Sequence, residues 1–363
     1  MGFRCGIIGL PNVGKSTIFS ALSTAEAEVA NYPFCTIDPN IGVISVPDER
    51  LEHIARIINP PKFTYTTVEF VDIAGLVKGA SKGEGLGNKF PGHIRNCDAV
   101  IHIVRCFDNA NVAHVHGTID PVSDIEVVNM ELILADLETI DKRIEKIKKL
   151  SQKGDKSQLK TLDACCAIQS LLGKGIAARK ALDTDREVIS RELGLITAKK
   201  MLYVANVSEA VLKGKGDYLT KIRDVAEEEG AKVITICGDM EAEIAMLPED
   251  ERKDFIDDLG LEESGLQKLI RAGYDLLGLI TFYTTAGKEL RAWTVEAGTE
   301  ASRAAGRIHS DMERGFIRAE VLNYRDFITV SGMAEAKEKG IVKIVGRDHP
   351  LSDGDIVYFR FKV

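Results

Sequence analysis

The sequence predicts an α/β protein in which a doubly wound, mostly parallel sheet is interrupted by an antiparallel helical hairpin and followed by a small α+β domain. Three observations support this fold class. Apolar runs typical of buried strands alternate with stretches of helical spacing. A seam of isoleucines and leucines interrupts them after residue 124, and residues 279–363 return to strand-like runs around one short helix. A chain of 363 residues is also long for a single hydrophobic core.

The composition is that of an ordinary globular protein, with 45% hydrophobic and 28% charged residues. A formal net charge of −8 gives no global basic field, so any nucleic-acid contact must come from a local patch. No stretch approaches the ~20 apolar residues of a membrane span, and no signal-peptide layout is visible. The 7 cysteines include no C-x-x-C pair, which favours a reduced, cytoplasmic compartment.

The first candidate site is the loop from Gly9 to Ser16, which has the spacing G-x-x-x-x-G-K-S. A strand-like run at 3–8 precedes it, and a helical pattern follows from Thr17. In this context backbone N–H groups and the helix N-terminus cradle a phosphate group. Lys15 is expected to reach the β- and γ-phosphate oxygens, and the Ser16 hydroxyl is expected to bind Mg²⁺.

Two later segments are typical of the switches of a phosphate-loop NTPase. Thr36 lies in a loop with two prolines. In a phosphate-loop NTPase this segment is the first switch, whose threonine closes over Mg²⁺ and the γ-phosphate, so Thr36 is the candidate for that role. The alternative is a solvated threonine in a turn. Asp72 and Gly75 form a D-x-x-G motif, in which the carboxylate can hold a Mg²⁺-bound water and the glycine N–H can bond the γ-phosphate. Leu76 follows, and it cannot orient the attacking water as Gln does in Ras-like GTPases.

The group that replaces this Gln has two candidates, His114 and His116, in a loop after the apolar run 98–107. Imidazole titrates near neutrality and can therefore act as a general base or acid. Two solvated histidines in a polar loop are the alternative. No arginine is placed by the sequence to act as an arginine finger.

The insertion is predicted to be a coiled-coil hairpin over residues 124–198. Apolar residues spaced by four, three, four and three predict the seam of its first helix: Ile133, Leu137, Ile140, Ile144 and Ile147. The second helix is predicted to run back with an apolar face of Leu159, Leu162, Cys166 and Ile168–Leu172. The basic stretch Lys142–Lys160 is either an RNA contact or the solvated face of the hairpin.

The base end of the site lacks the guanine-reading motif N-K-x-D, which occurs nowhere in the chain. Asn206 and Glu209 follow a strand-like run and stand where the Asn and Asp of this motif are expected. Val207 stands in place of the lysine whose side chain normally lies over the base. Glu209 is one methylene longer than the Asp that accepts two hydrogen bonds from guanine, so base discrimination weakens. ATP is therefore expected to be tolerated and preferred. Backbone groups around Cys237 and Gly238 are expected at the base edge.

The C-terminal segment is predicted to be a separate α+β domain, with strand-like runs at 279–284, 290–295 and 356–361. It carries 13 Lys+Arg against 12 Asp+Glu, so the rest of the chain carries the acidity. A domain less acidic than its host is a candidate contact surface for RNA or a ribosomal protein. The predicted boundaries are 1–123 with 199–278 for the nucleotide-binding domain, 124–198 for the helical insertion and 279–363 for the C-terminal domain.

These motifs together closely resemble those of the YchF family, the Obg-related branch of the translation-factor-like phosphate-loop NTPases. The resemblance is carried by GLPNVGKST at 9–17, NYPFCTIDPN at 31–40, DIAGLVKGASKGEGLGN at 72–88 and NVSE at 206–209. The C-terminal domain resembles the family's TGS domain, a β-grasp-like fold, at 304–310 and 315–320. The resemblance covers essentially the whole chain.

The resemblance implies an ATPase of GTPase ancestry that associates with the ribosome and its RNA. The implied phosphate contacts are Asn12, Val13, Gly14, Lys15, Ser16 and Thr17. The implied base contacts are Asn206, Val207, Glu209, Cys237 and Gly238. The expected Mg²⁺ site is Ser16, Thr36 and Asp72, and the expected catalytic groups are His114, Lys15 and Gly75. In an alternative, Asn12 holds K⁺, which supplies charge in place of an arginine finger.

The expected function is slow, Mg²⁺-dependent ATP hydrolysis that serves as a ribosome-linked conformational switch in a cytoplasmic monomer, with GTP as a secondary substrate. Two alternatives stay open. One is a GTP-specific switch that binds nucleic acid. The other is an interaction module in which the nucleotide serves structure and is never turned over.

Overall fold

The computed structural model describes residues 3–27, 40–73, 90–109, 114, 118–152, 159–212, 217–286 and 289–362. Thr36, Gly75, Leu76 and His116 lie outside the described residues, so their predicted roles stay predictions. The chain divides into two compact units. The first comprises residues 1–44 and 69–273, and the second comprises residues 45–68 and 274–363.

The strands follow the apolar runs of the sequence. They are β1 (Phe3–Ile8), β2 (Ile41–Ser45), β3 (Lys62–Thr64), β4 (Thr67–Asp72), β5 (Ala99–Cys106), β6 (Lys200–Val207), β7 (Lys232–Ile236), β8 (Leu279–Ala286), β9 (Glu289–Glu296), β10 (Phe316–Asn323), β11 (Lys343–Val345) and β12 (Asp355–Phe361).

The helices are α1 (Lys15–Ala27), α2 (Glu49–Ile58), α3 (Phe90–Arg95), α4 (Pro121–Gln152), α5 (Leu159–Leu172), α6 (Thr184–Leu193), α7 (Glu209–Leu212), α8 (Asp217–Glu229), α9 (Gly238–Met246), α10 (Glu249–Asp258), α11 (Gly265–Leu277), α12 (Ala301–Ile308), α13 (Ser310–Arg314), α14 (Tyr324–Phe327) and α15 (Met333–Glu338). Short 3₁₀ turns lie at Ala178–Ala181 and Ile196–Ala198. Among the helices of the described ranges, none is both long enough and apolar enough to cross a membrane.

The first unit is built on a sheet with the strand order β2-β4-β1-β5-β6-β7. β1, β5, β6 and β7 pair in parallel, and every residue of β5 is buried, as in a strand covered on both faces. The order reverses at β1, which lies between β4 and β5. Open α/β sheets bind ligands beyond the carboxyl ends of their strands at such a reversal. The predicted α/β sheet is confirmed, and the loop after β1 follows the strand at which the order reverses.

α4 and α5 pack along the seam that the isoleucine spacing predicts. Ile140 and Ile147 of α4 share a buried cluster with Cys165 and Ile168 of α5. The sequence analysis placed Cys166 on this face, but Cys166 is exposed and Cys165 is fully buried. The buried positions follow one stripe of the helix at intervals of three and four residues, and Cys166 lies one residue off that stripe. That the pair forms an antiparallel coiled coil stays a prediction.

The second unit contains a mixed sheet with the strand order β11-β10-β12-β8-β9-β3. β8 pairs with β9, and β10 with β11 and β12, in antiparallel fashion, whereas β12 runs parallel to β8. One face of the sheet is covered by α12, whose small residues share a core with side chains of the strands: Ala301, Ala304, Ala305, Phe282, Val295, Ala319, Val321, Val357 and Phe359.

Residues 45–68 differ from the predicted division of the chain. The sequence analysis assigned them to the nucleotide-binding domain because they lie between two of its strand-like runs. In the structure β3 pairs in parallel with β9, and α2 buries Leu51 and Ile54 in a cluster with Tyr283 and Leu290. The apolar face of α2 is thus buried by the second sheet, which explains why this segment groups with the C-terminal residues. The other predicted boundaries stay predictions.

Candidate functional site

The phosphate-type loop between β1 and α1 has a backbone that only glycine fits at two positions. Gly9 has φ +152°, and a Cβ atom there would lie 2.4 Å from the carbonyl oxygen of Ile103. Gly14 has φ +95°, and its Cβ would lie 2.1 Å from Nδ2 of Asn206. A side chain at either position would therefore force the loop away from β5 or β6.

Lys15 begins α1 and turns its side chain back into the loop. Its Nζ donates to the carbonyl oxygens of Gly9 at 2.9 Å and Leu10 at 2.8 Å, and the residue is buried. Burial lowers the pKa of the Lys15 ammonium, while the nearby Asp72 carboxylate opposes that shift. Among the described residues the hydrogen bonds of this buried ammonium go to neutral carbonyls. Such an ammonium is a ready partner for an anion, because phosphate oxygens supply negative charge that the carbonyls lack.

Asp72 ends β4 and supplies a carboxylate to the same region. Its Oδ1 is buried and has no hydrogen-bond partner among the described residues. Burial raises the pKa of the Asp72 carboxyl, and the Lys15 charge opposes the rise. A buried carboxylate oxygen without a donor suits a hydrated divalent cation, which is the environment predicted for Asp72.

Asn206, at the end of β6, joins two loops of the site. Its Nδ2 donates to the carbonyl oxygen of Val13 at 2.9 Å, and its Oδ1 accepts from the N–H of Gly238 at 2.9 Å. Asn206 is buried, so both bonds are made away from solvent. The predicted base-contact residue therefore ties the phosphate-type loop to the loop after β7.

A cavity of about 370 Å³ opens above these elements. Its wall contains eight of the predicted site residues: Asn12, Gly14, Lys15, Ser16, Thr17, Asn206, Val207 and Gly238. It also contains residues that the sequence analysis missed: Phe107, Asp108, Asn109, Ser208 and Asp239. The missed residues follow β5, β6 and β7, whose carboxyl ends share one edge of the sheet. That convergence is the signal that could have identified them.

Arg105 holds the newly found wall after β5 in place. It is almost fully buried, its Nε donates to the carbonyl oxygen of Phe107 at 3.2 Å and its Nη2 donates to that of Asn109 at 3.4 Å. The guanidinium carbon also lies 4.7 Å from the centre of the Phe107 ring. A charged side chain inside an apolar strand is thereby explained as a support for the cavity wall.

His114 lies beside α4 rather than on the cavity wall. Its Nε2 is 3.0 Å from Oδ2 of Asp124 in the first turn of α4, and both side chains are buried. His114 is not among the described residues that line the cavity. The structure therefore shows a defined partner for this histidine and leaves its predicted catalytic role a prediction.

Glu209, Cys237 and Val13 also lie off the cavity wall as described. Glu209 begins the short helix α7, and its neighbours Val207 and Ser208 line the cavity instead. Cys237 immediately precedes α9, and burial raises the pKa of its thiol, so it stays a small neutral side chain. Val13 takes part through its carbonyl oxygen, which binds Asn206.

A cradle closed by two obligatory glycines, with a buried lysine at the start of a helix, is built to hold phosphate. The cavity beside it, walled by a phenylalanine and by polar side chains, has the volume and lining of a small-molecule site. Proteins with both features at the reversal point of a parallel sheet are phosphate-loop nucleotide-binding proteins, and this chain is one of them.

Comparisons with known proteins define the family. Residues 4–162 match a family model described as "50S ribosome-binding GTPase", and residues 279–362 match the YchF GTPase C-terminal model, described as a "Protein of unknown function (DUF933)". The chain is 51% identical to the "Ribosome-binding ATPase YchF" of Haemophilus ducreyi and 49% identical to that of Bacillus subtilis, with 100% of each chain covered. The chain belongs to the YchF family, which confirms the resemblance read from its motifs.

A solved structure agrees with this placement. The YchF GTPase of Schizosaccharomyces pombe is 34% identical in sequence and superposes with a TM-score of 0.88. The match covers 99% of this chain and 98% of that one.

Proposed function

We propose that this protein is a Mg²⁺-dependent ATPase that acts as a conformational switch on the ribosome. The observation that carries the proposal is the joint placement of Lys15 and Asn206 on one cavity, with Lys15 at its phosphate end. The bacterial relatives named as ribosome-binding ATPases, identical at about half of all positions over their full length, support the choice of reaction and partner.

The phosphate end of the cavity supplies the groups that hydrolysis needs. Lys15 and the backbone after Asn12 would hold the β- and γ-phosphates, while Ser16, Thr36 and Asp72 would hold Mg²⁺. The buried, unpartnered Oδ1 of Asp72 among the described residues fits this assignment. Bound Mg²⁺ would supply positive charge against the phosphate oxygens. Gly75 would add its backbone N–H to the γ-phosphate, and K⁺ held by Asn12 is an additional source of charge to be tested.

Asp72→Asn is expected to raise the Mg²⁺ concentration that gives half-maximal hydrolysis by about tenfold to a hundredfold, because the variant loses a charge in the shell around the cation. In the wild type, burial raises the Asp72 pKa, so this affinity is present at high pH and is lost as the pH falls through that raised value. The loss should begin at a higher pH than for an ordinary aspartate. The Asn variant should lack this pH dependence.

Magnesium titrations of hydrolysis at several pH values measure the effect. Asp98→Asn is the matched control. Asp98 lies at the amino end of β5, where it accepts from the Arg4 N–H, whereas Asp72 lies at the carboxyl end of β4. Equal Mg²⁺ dependence in wild type and Asp72→Asn would remove Asp72 from the proposed cation site.

The base end of the cavity favours ATP over a strictly guanine-specific site. The chain has no N-K-x-D motif, and Glu209, the residue in place of its aspartate, lies off the cavity wall. Val207 and Gly238 present backbone and apolar surface instead, with Asn206 occupied by its two bonds to the loops. A site that lacks the N-K-x-D aspartate at its usual place loses much of its discrimination for guanine.

A GTPase is the second candidate, and Asp239 favours it. This carboxylate lies on the cavity wall in the first turn of α9. An aspartate at the base end is the group that pairs with the N–H donors of guanine in a GTPase, so Asp239 offers a replacement for the missing motif.

Paired titrations of ATP and GTP against the full chain separate the two candidates. We expect the dissociation constant for ATP to be equal to or lower than that for GTP, because no acceptor is placed by the N-K-x-D geometry. Affinity for GTP that is tens of fold higher would reject the ATPase. Phosphate release with and without ribosomes then tests turnover, and no release in either condition would leave only a nucleotide-stabilised interaction module.

The attacking water needs a positioning group, because the sequence has Leu76 where Gln is usual. His114 is the proposed group, and in the structure it is bonded to Asp124. For His114 to reach the cavity it must exchange this partner for the water. Slow intrinsic turnover follows, since the resting contact competes with the catalytic one.

His114→Ala is expected to lower the ribosome-stimulated kcat by about a hundredfold, the usual contribution of a positioned acid–base group. Asp124→Asn should raise the basal kcat severalfold, because it weakens the resting contact, and the double variant should lose this rise. Asp120→Asn is the control, since Asp120 bonds the N–H of Ser123 instead of His114. Full ribosome-stimulated activity in His114→Ala would remove His114 as the catalytic group.

The remaining parts of the chain are proposed as partner-binding modules. The packed helices α4 and α5 support a coiled-coil insertion, and the mixed sheet under α12 supports a TGS-type domain. A monomer that works in the cytoplasm, with ribosomal RNA among its contacts, completes the proposal.

A further inference from the structure

Arg105 is a buried cation in a strand that is otherwise apolar apart from His102. All eight residues of β5 are buried, and Arg105 is 2% exposed. Removing a charge from water costs free energy unless the group gains hydrogen bonds or a charged partner. An aliphatic side chain would occupy the same position in the strand without this cost. The contacts of the guanidinium group show what is gained in return.

The guanidinium group binds the backbone of the segment that follows β5. Its Nε donates to the carbonyl oxygen of Phe107 at 3.2 Å, and its Nη2 donates to that of Asn109 at 3.4 Å. Its central carbon lies over the Phe107 ring, 4.7 Å from the ring centre. Phe107 and Asn109 both line the cavity. One side chain therefore holds this part of the cavity wall at two backbone positions and packs against its aromatic ring.

Arg105 lies beside Asn206, which joins two other loops of the site. The two residues pair in the register of β5 and β6, and residues paired in this way project from the same face of a sheet. Asn206 bonds the Val13 carbonyl and the Gly238 N–H. Together the two neighbouring side chains contact the backbone after β1, after β5 and after β7.

Strand register also places Phe107 at the predicted base end of the cavity. Cys106 pairs with Val207, so Phe107 and Ser208 follow a pair of neighbouring residues, and both line the cavity. Val207 is one of the predicted base contacts. An aromatic ring on the wall of a nucleotide cavity offers a face on which a purine stacks.

We infer that Arg105 is a positioning residue for the base of the nucleotide, which acts by holding the Phe107 ring in the orientation on which the purine stacks. The inference rests on the proposed function, in which the cavity holds ATP. A ring that is already held in place loses less freedom when the base binds, so the affinity for the nucleotide is higher. Arg105 contributes no group to the proposed hydrolytic step, so it acts on affinity and not on turnover.

The test compares ATP with inorganic tripolyphosphate, which has the phosphates but no base. Each is titrated against the full chain in the presence of Mg²⁺, with Arg105→Lys and Arg105→Met beside the wild type. Arg105→Lys keeps a cation but loses the planar fork that reaches both carbonyls and packs on the ring. Both variants are expected to weaken ATP binding about tenfold, comparable with the loss of one stacked base. Both should bind tripolyphosphate as the wild type does.

Steady-state hydrolysis gives a second readout. The KM for ATP should rise by the same factor in both Arg105 variants, and the kcat at saturating ATP should stay within about twofold of the wild type. A fall in kcat at unchanged KM would overturn the inference, because Arg105 would then act on the hydrolytic step.

Phe107→Leu tests whether Arg105 acts through the ring. This variant removes the stacking surface and is expected to weaken ATP binding by a similar factor. Adding Arg105→Lys to it should weaken binding no further, because the ring through which Arg105 acts is gone. Losses that multiply in the double variant would overturn the inference.

Arg179→Lys is the matched control. Arg179 is a largely buried arginine of the same unit, its Nη2 lies 2.5 Å from Oε2 of Glu229, and it is not among the described residues that line the cavity. Thermal unfolding of each sample checks that it is folded. Arg105→Lys and Arg179→Lys should both unfold at lower temperature than the wild type, but only Arg105→Lys should lose affinity for ATP. Wild-type affinity for ATP in both Arg105 variants overturns the inference, and so does an equal loss of ATP and tripolyphosphate binding.

Binding and turnover separate this inference from the proposed function. A wild-type protein that binds ATP but releases no phosphate would sink the proposed ATPase, and the comparison of ATP with tripolyphosphate would still decide the role of Arg105. Arg105 variants with wild-type affinity, in a chain that hydrolyses ATP, would overturn the inference and leave the ATPase standing.

Discussion

Lys15→Ala is expected to abolish ATP hydrolysis, with a fall in kcat of at least about a hundredfold. The Lys15 ammonium lies on the cavity wall and is turned into the loop by the carbonyls of Gly9 and Leu10, where the proposed function places the phosphates. Hydrolysis builds negative charge on the transferred phosphoryl oxygens and the leaving group. A buried ammonium stabilises that charge strongly because little solvent competes for it.

Lys199 offers a close control for this variant. It is also a partly buried lysine whose Nζ donates to two backbone carbonyls, those of Arg95 at 3.0 Å and Cys97 at 2.5 Å. Burial lowers the pKa of both ammonium groups. Lys199→Ala therefore removes a partly buried ammonium with similar hydrogen bonds that does not line the cavity. Phosphate release should survive in Lys199→Ala and vanish in Lys15→Ala; hydrolysis that survives in both would dismiss the phosphate site.

The glycine- and lysine-containing loop between β1 and α1 was predictable because its sequence motif is local. Gly9, Gly14 and Lys15 lie within seven consecutive residues, the two glycines have positive φ angles, and Lys15 donates to a carbonyl of the same segment. The strand before the loop and the helix after it carry equally local patterns. The motif can therefore be recognised from the sequence, although the close approaches of Gly9 to Ile103 and of Gly14 to Asn206 become visible only in the structure.

The rest of the cavity wall depends on contacts between distant segments. Phe107, Ser208 and Asp239 line one cavity because β5, β6 and β7 end at one edge of the sheet. No local sequence pattern around these residues indicates that they lie close together. The same limit explains residues 45–68. Their attachment to the second unit rests on the pairing of the three-residue strand β3 with β9, more than 200 residues further along the chain.

Asn206 was predicted as a base contact, and the structure shows that it also bonds two loops of the site. The sequence analysis singled it out as a base contact, from its place in a degenerate N-K-x-D motif. The structure shows both of its polar atoms bonded to backbone, at Val13 and Gly238. In the structure Asn206 therefore joins the two loops. Its contact with the base stays a prediction.

Asn206→Ala is accordingly expected to weaken nucleotide binding by about tenfold to a hundredfold. It leaves the Val13 carbonyl and the Gly238 N–H buried without partners, at about 1–3 kcal/mol for each group. That cost falls on two loops that line the cavity. Titration of ATP and thermal unfolding of the same samples measure the two consequences.

Asn129→Ala separates loss of stability from loss of the site. Asn129 is a part-buried amide of α4 in the same unit, and its Nδ2 donates to Oε1 of Glu229 at 3.1 Å, away from the cavity wall. Both variants should unfold at lower temperature than the wild type, but only Asn206→Ala should lose affinity for ATP. Equal affinities in the two variants would mean that the phosphate-type loop and the loop after β7 hold their positions without Asn206, and that the base end of the cavity is set by Phe107 and Asp239 instead.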